Sequence, residues 1–193
     1  MREIALHLLD IARNAVEAGA NCLRITLRET DDRLTMIVED DGCGMEPEFA
    51  ARAVDPFATT RTTRRVGMGL PLLRLAAELT GGHMEISSRH KEQYPEQHGT
   101  RVSATFCTLH IDCPPVGDIP STLWTLVQGL PNVDLVFLHE APGRVVRLDT
   151  REIRAALGEG IPLSEPAVLA WLGTYLREQY GQPCVSQPMD RTM

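Results

Sequence analysis

The period of the hydrophobic pattern changes sharply near the N-terminus, and that change constrains the fold more than any other feature of the chain. Over residues 3–18 apolar side chains recur at Ile4, Leu8, Ile11, Ala12 and Ala15, the spacing that lines one face of an α-helix. Gly19 follows, where a helix C-terminus favours a residue without Cβ. From Cys22 to Leu27 and from Leu34 to Glu39 the period falls to two, with Glu29-Thr30-Asp31-Asp32 between the runs, which predicts an antiparallel hairpin. Pro47–Ala53 has the character of a short helix, and Pro56–Val66 is polar, basic and aperiodic, as a loop would be. Helical spacing returns over Leu70–Leu79 and stops at Gly81-Gly82, and Met84–Ser88 with Arg101–Phe106 form another pair of strands. The order is helix, two strands, loop, helix, two strands.

A shift in composition follows at Cys113-Pro114-Pro115, with Gly117 and Pro120 close behind, so residues 111–120 are expected to be a Pro-rich linker after a domain spanning 1–110. Beyond it the pattern predicts a helix over Ser121–Gln128, strands at Val133–Leu138 and Arg144–Leu148, and helices over Arg151–Leu157 and Pro166–Gln179. Asp149 with Glu152 has the form of a capping box, and Ser164 is expected to cap the last helix. A module over 121–182 with only two short strands has a marginal core by itself and is expected to lean on the first domain, and 183–193 reads as a frayed tail.

Composition narrows the classes of function. No apolar run approaches the roughly 18 residues of a membrane span and the start has no signal-peptide profile, which points to a cytoplasmic chain without a membrane partner. A net charge of −7 argues against nucleic acid as a partner. The five cysteines are scattered and odd in number, against a disulfide framework. Cys107, His110 and Cys113 stand three residues apart and could invite a metal, or simply mark a strand end and its loop.

Three segments carry chemistry. His7, Asp10, Asn14 and Glu17 fall on one face of the first helix, as a ligand-binding stripe or as an ordinary solvated face. Asp40-Asp41-Gly42-Cys43-Gly44 directly follows a strand, where glycines let backbone approach a ligand and a carboxylate can accept from an amine. Val66-Gly67-Met68-Gly69-Leu70 opens a helix, where free N–H groups and the helix dipole favour phosphate.

Order and spacing tie these segments together: DIARNAVEAGA, EDDGCGM, DPFATTR, VGMGLPL and GTRVSATF follow one another between residues 10 and 106. Residues 1–110 thereby resemble the GHKL superfamily, named for gyrase, the large heat-shock chaperones, histidine kinases and MutL, whose ATP site is the Bergerat fold. The resemblance implies an α+β, two-layer α/β sandwich, a mixed and mostly antiparallel sheet covered by helices, here with a small α/β extension at the C-terminus. It implies ATP and Mg²⁺ as ligands.

By the same resemblance Asn14 is the magnesium ligand, and its side-chain oxygen suits a hard cation. Asp10, one turn earlier, takes the place of the catalytic glutamate of the hydrolysing relatives and of an asparagine in many histidine kinases. It departs from both, and as a shorter carboxylate it is a candidate base or a tuner of the metal. Asp40 matches the aspartate that accepts from the adenine amino group, Gly42 and Gly44 give close backbone approach, and Thr100 after Gly99 matches the threonine near the adenine-bound water. Phe57-Ala58-Thr59-Thr60-Arg61 resembles the start of the ATP lid, which puts Thr59 and Thr60 in the nucleotide-binding set and Arg61 at the terminal phosphates in a binding and catalytic role. Gly67, Gly69 and Leu70 match the second glycine box, although Arg65 replaces the first glycine of the usual run. Arg64 and Arg65 read equally as phosphate-holding charges or as a solvated loop.

Within the superfamily, residues 14–45 look most like MutL, whereas the short lid and GMGLPLLRLAAELTGGHMEISS look more like a histidine kinase or an anti-sigma-factor kinase. The compact lid favours the kinase branch. A histidine kinase carries its phosphoacceptor on a long dimerisation helix ahead of the ATP domain, and here the resemblance begins at residue 1. The acceptor is therefore expected on a partner protein. Leu138-His139-Glu140-Ala141-Pro142 faintly resembles an acceptor box, but its place beside a Pro-Gly turn reads as a hairpin histidine. The leading expectation is an ATP-Mg-dependent kinase-like protein that phosphorylates or regulates a partner in signal transduction. The alternatives are a MutL-like ATP-hydrolysing switch and a non-catalytic ATP/ADP sensor, with a homodimer left open.

Overall fold

The computed structural model describes residues 3–55, 68–158 and 160–181. In chain order the elements are α1 (Ile4–Glu17), β1 (Cys22–Glu29), β2 (Arg33–Asp40), α2 (Pro47–Ala50), α3 (Gly69–Leu79), β3 (His83–Arg89), β4 (Gly99–Cys107), α4 (Ile119–Gly129), β5 (Asp134–Ala141), β6 (Arg144–Asp149), α5 (Thr150–Leu157) and α6 (Pro166–Gly181).

Alternation along the strands sets which face is covered. Leu23, Ile25 and Leu27 of β1, Leu34, Met36 and Val38 of β2, and Val102, Ala104 and Phe106 of β4 are all buried. Arg24, Arg28 and Arg101 between them are exposed, so one face of the sheet is apolar and the other is wet. On the wet face Arg101 pairs with Glu39 across β2 and β4, and Arg28 with Glu140 across β1 and β5, contacts worth about 0 to 1 kcal/mol each at such exposure. The apolar face is what drives the helices onto the sheet.

The six strands run in the order β3-β4-β2-β1-β5-β6. β1 and β5 are parallel, with Leu23 opposite Leu135 and Ile25 opposite Phe137, and the other four pairings are antiparallel. This is the mixed, mostly antiparallel, helix-covered sheet that the resemblance implies. The strands β5 and β6 continue the sheet of the N-terminal half, and one hydrophobic cluster runs from Ile4 and Leu8 through Ile25 and Phe106 to Phe137, Leu172 and Leu176.

Within residues 111–120, Cys113, Val116 and Ile119 take part in this packing. The first turn of a helix leaves N–H groups without intrahelical partners, and Glu3, at the N-cap of α1, offers no side-chain cap. The carbonyls of Pro115 and Val116 accept from Ile4 N and Ala5 N at 3.0 and 2.9 Å instead. At α5, Asp149 caps as expected and accepts from Arg151 N. The cap of α6 differs from expectation: Leu169 N donates to Glu165 O, so Glu165, and not Ser164, holds the position whose carbonyl opens the helix.

A partly buried polar knot ties the end of α6 to the sheet. His139 on β5 is 3% exposed, its Nε2 lies 2.7 Å from Glu29 Oε1 and its Nδ1 lies 2.8 Å from Tyr180 Oη. Burial pushes the imidazole below its ordinary pKa and the Glu29 contact opposes this, while burial raises the Tyr180 phenol. With both ring nitrogens engaged inside the fold, His139 is a structural histidine. Among the described residues, no helix is long and apolar enough to cross a membrane.

Candidate functional site

The polar stripe on α1 divides in the structure. His7 turns into the interior and is 1% exposed, whereas Asp10, Asn14 and Glu17 line a cleft of about 430 Å³. The turn after β2, α2, the start of α3, the start of β4 and His90 close its other sides, through Asp40, Gly44, Met45, Phe49, Gly69, Leu70, Thr100 and Val102 among others. Polar groups thus meet apolar walls, as is usual for small-molecule sites.

The two adjacent aspartates of the glycine-rich turn do different work. Asp41 Oδ1 accepts from Asn21 N and Cys22 N at 2.7 and 2.8 Å and so anchors the entry to β1. Asp40 faces the cleft, with Oδ1 accepting from Gly42 N at 2.9 Å. Burial raises the Asp40 pKa above its ordinary value and the negative charge of Asp41 adds to this, while the N–H groups of Gly42 and Thr100 favour the carboxylate. A partly desolvated carboxylate of this kind gains from any N–H donor brought to it.

The requirement for glycine at 44 comes from the fold itself. Its φ is +68°, and a Cβ there would lie 2.0 Å from the carbonyl oxygen of Arg89. The turn is pressed against the end of β3, and Met45 N donates to Ser88 Oγ at 2.8 Å, which in turn lies 2.9 Å from Thr100 Oγ1. Thr100 is opposite Asp40 in the β2–β4 register. Ser88 therefore couples the turn to Thr100, a link that the sequence did not signal.

At the other end of the cleft, the first turn of α3 faces α1. A Cβ placed on Gly69 would stand 3.5 Å from Asp10 Cβ and 3.8 Å from Asn14 Nδ2. Met68 at the N-cap gives no side-chain cap and Pro71 has no N–H, so the N–H groups of Gly69 and Leu70 are the donors that this helix end offers to an anion.

Of the residues singled out from sequence, the structure gathers Asp10, Asn14, Asp40, Gly44, Gly69, Leu70 and Thr100 around one cleft, with Gly42 bonded to Asp40 behind it. Thr59, Thr60, Arg61, Arg64, Arg65 and Gly67 lie outside the described residues. Glu46, Met45, Phe49, Ala53 and His90 are lining residues that sequence reasoning missed. Nothing in their spacing marks them, because two loops distant in sequence bring them together. Among the described residues Cys107, His110 and Cys113 do not converge as metal ligands, and His110 Nδ1 accepts from Asp112 N at 3.1 Å within its own turn.

Residues 1–110 match the family model described as histidine kinase-, DNA gyrase B- and HSP90-like ATPase. Among curated proteins the chain is similar to a probable C4-dicarboxylate sensor kinase of Bacillus subtilis, 36% identical over 73 residues that cover 38% of this chain and 14% of that protein. It is also similar to the tetrathionate sensor histidine kinase TtrS of Salmonella typhimurium, 32% identical over 115 residues that cover 60% of this chain and 19% of that protein. The chain thus spans less than a fifth of the length of either. Among solved structures, the N-terminal domain of a DNA repair protein aligns with a TM-score of 0.51 at 14% sequence identity, over 77% of this chain and 53% of that one, which is a likeness of fold.

Proposed function

Because the chain belongs to the histidine kinase-, DNA gyrase B- and HSP90-like ATPase family of ATP-binding domains, we propose that its cleft binds ATP with Mg²⁺ and that the protein passes the terminal phosphoryl group to a partner protein in a signalling pathway, or regulates that partner. The observation that supports this best is the polarity of the cleft: a half-buried acceptor, Asp40, at one end, and Asp10 and Asn14 facing the N-terminus of α3 at the other.

In this reading the adenine amino group donates to Asp40, Thr100 sits beside that contact, and the phosphates meet the N–H groups of Gly69 and Leu70. The residues on α1 fit magnesium, since the amide oxygen of Asn14 is a hard ligand that leaves places for water and phosphate oxygens, and the carboxylate of Asp10 lies in the same cleft. When bound, the ion neutralises phosphate charge. Asp10 orients the attacking group and can take up its proton, and Arg61 is assigned to the terminal phosphates. Thr59, Thr60 and Gly67 complete the lid in the same assignment.

A second reading has one observation in its favour. Asp10 is a carboxylate one turn before Asn14 and in the same cleft, where it could activate water and make the protein an ATP-hydrolysing switch. Incubation with Mg²⁺ and γ-labelled ATP, alone and with host extract, separates the readings, with Asp40→Asn and Asn14→Ala as controls. Label transferred to a protein supports the kinase, and free phosphate released by the wild type but by neither control supports the switch. Nucleotide binding without either product supports an ATP/ADP sensor, and no binding of ATP by the folded protein overturns the proposal.

A further inference from the structure

At the mouth of the cleft, two segments far apart in sequence bring three metal-type side chains together. Glu46 stands at the N-cap of α2, and His90 and Glu92 belong to the connection between β3 and β4. One donor atom from each lies within 4.8 Å of the others. We propose that Glu46, His90 and Glu92 bind a borderline divalent cation of the Zn²⁺ class, at a site separate from the magnesium assigned to Asn14. This goes beyond the ATP-dependent reading of the cleft and does not depend on it.

The geometry around the imidazole carries the argument. His90 Nδ1 is shielded from solvent and makes no hydrogen bond, yet it lies 3.1 Å from Glu46 Oε1. A salt-bridged histidine points its N–H at the carboxylate. Two ligands of one ion instead point at a common third position, and with metal–donor distances of about 2.0 to 2.2 Å and ligand angles of about 90 to 110° they stand roughly 2.8 to 3.6 Å apart. The Glu46 and His90 pair has that separation without the direction of a hydrogen bond. Glu92 is exposed, so rotation of its side chain is free to close the set.

The backbone beneath the three is already fixed. Lys91 N donates to Cys43 O at 2.9 Å, and Gln93 N and Tyr94 N both turn back to His90 O. At the far end of the same connection His98 Nδ1 lies 2.6 Å from Gly42 O. A loop pinned at both ends to the glycine-rich turn loses little further freedom when an ion joins its side chains. One imidazole with two carboxylates selects Zn²⁺, Co²⁺ or Ni²⁺ over Mg²⁺, which prefers oxygen and retained water. Since Glu46 and His90 also line the cleft, the ion would clasp the rim that the nucleotide passes.

The test is Zn²⁺ binding by the whole chain without nucleotide, measured by competition with a chromophoric chelator, together with the visible spectrum after Co²⁺ loading. The expected result is one ion per chain. Affinity should fall at least tenfold in Glu92→Gln and in His90→Gln, since losing a ligand costs no less than the 10- to 100-fold typical of an outer-shell partner, and should be unchanged in Cys113→Ser. The Co²⁺ spectrum should lack thiolate charge-transfer bands. Glu92 is exposed, so its variant tests the site without burdening the fold, and an unchanged melting curve without metal confirms this. Wild-type binding equal to that of Glu92→Gln, a thiolate spectrum, or no binding overturns the proposal. None of these results bears on ATP binding, which is measured separately with and without Zn²⁺.

Discussion

Replacing His7 with leucine should make the protein more stable and less sensitive to mild acid. Both ring nitrogens of His7 are buried without a hydrogen-bond partner, and burial lowers its pKa from 6.5 to about 4, against the opposing pull of Asp10. The folded chain therefore holds the ring neutral while the unfolded chain protonates it below about pH 6.5. The unfolded state then binds more protons, so stability falls as the pH drops from 6.5 and levels off below 4. At 1.36 kcal/mol per unit the full loss is about 3 kcal/mol, and about 2 kcal/mol of it is reached by pH 5. His139, also lowered by burial, adds a loss of the same sign, and Asp40, whose pKa is raised, opposes it. The informative quantity is therefore the difference between wild type and variant. Urea unfolding of both at pH 7.5 and pH 5 should show that difference growing by about 2 kcal/mol toward acid. At pH 7.5 leucine should already stabilise by about 1 kcal/mol, because an unpaired buried polar group costs roughly 1 to 3 kcal/mol. Parallel pH profiles for the two proteins would refute the reasoning and mean that the folded chain tolerates the imidazolium.

Three further outcomes follow from the same geometry. Asp40→Asn should weaken ATP about 10- to 100-fold by titration calorimetry, the loss expected for a hydrogen bond to a charged group; in the wild type, affinity should decline in acid at a pH above that of an ordinary aspartate, and the variant should lack this dependence. Gly44→Ala should cost several times more stability in urea than Gly81→Ala: both positions have positive φ, worth about 1 kcal/mol, but only at 44 does the new Cβ meet a carbonyl at 2.0 Å, while nothing lies within 4 Å at 81. Tyr180→Phe should cost about 1 to 3 kcal/mol in thermal or urea unfolding by leaving His139 Nδ1 unpaired, and equal stability of variant and wild type would remove the knot from the account of how α6 is held.

Local signals were enough to read the elements, and the long-range pairings were not. The helical period of Ile4, Leu8, Ile11 and Ala15 and the alternation of Leu23, Ile25 and Leu27 each reflect one buried face, which a short window of sequence records. The parallel pairing of β1 with β5 joins Leu23 to Leu135, and no local pattern encodes a partner that distant. The same limit applies at the cleft. Asp10, Asn14, Asp40 and Gly69 were readable because each sits in a short motif whose residue types suit phosphate or adenine chemistry. His90 and Glu46 were not, because contacts between segments distant in sequence, such as Lys91 N with Cys43 O and His98 Nδ1 with Gly42 O, bring their loops together. The buried state of His7 was also hidden: the spacing that put it in line with Asp10 and Asn14 could not say that the stripe bends from core into cleft along a single helix.

The two carbonyls of Pro115 and Val116 over the first turn of α1 have a consequence for how the protein can be taken apart. The family match ends at residue 110, but the helix bearing Asp10 and Asn14 is finished off by atoms that come after that point. A chain cut there would bare Ile4 N and Ala5 N, and would strip β1 of its neighbour on the β5 side. The matched segment is thus shorter than the segment that packs around one core. Exchanging residues 1–110 between relatives as an interchangeable cassette would leave the most important helix of the cleft with a loose end, and whatever tugs on residues 114–117 has a direct mechanical grip on it.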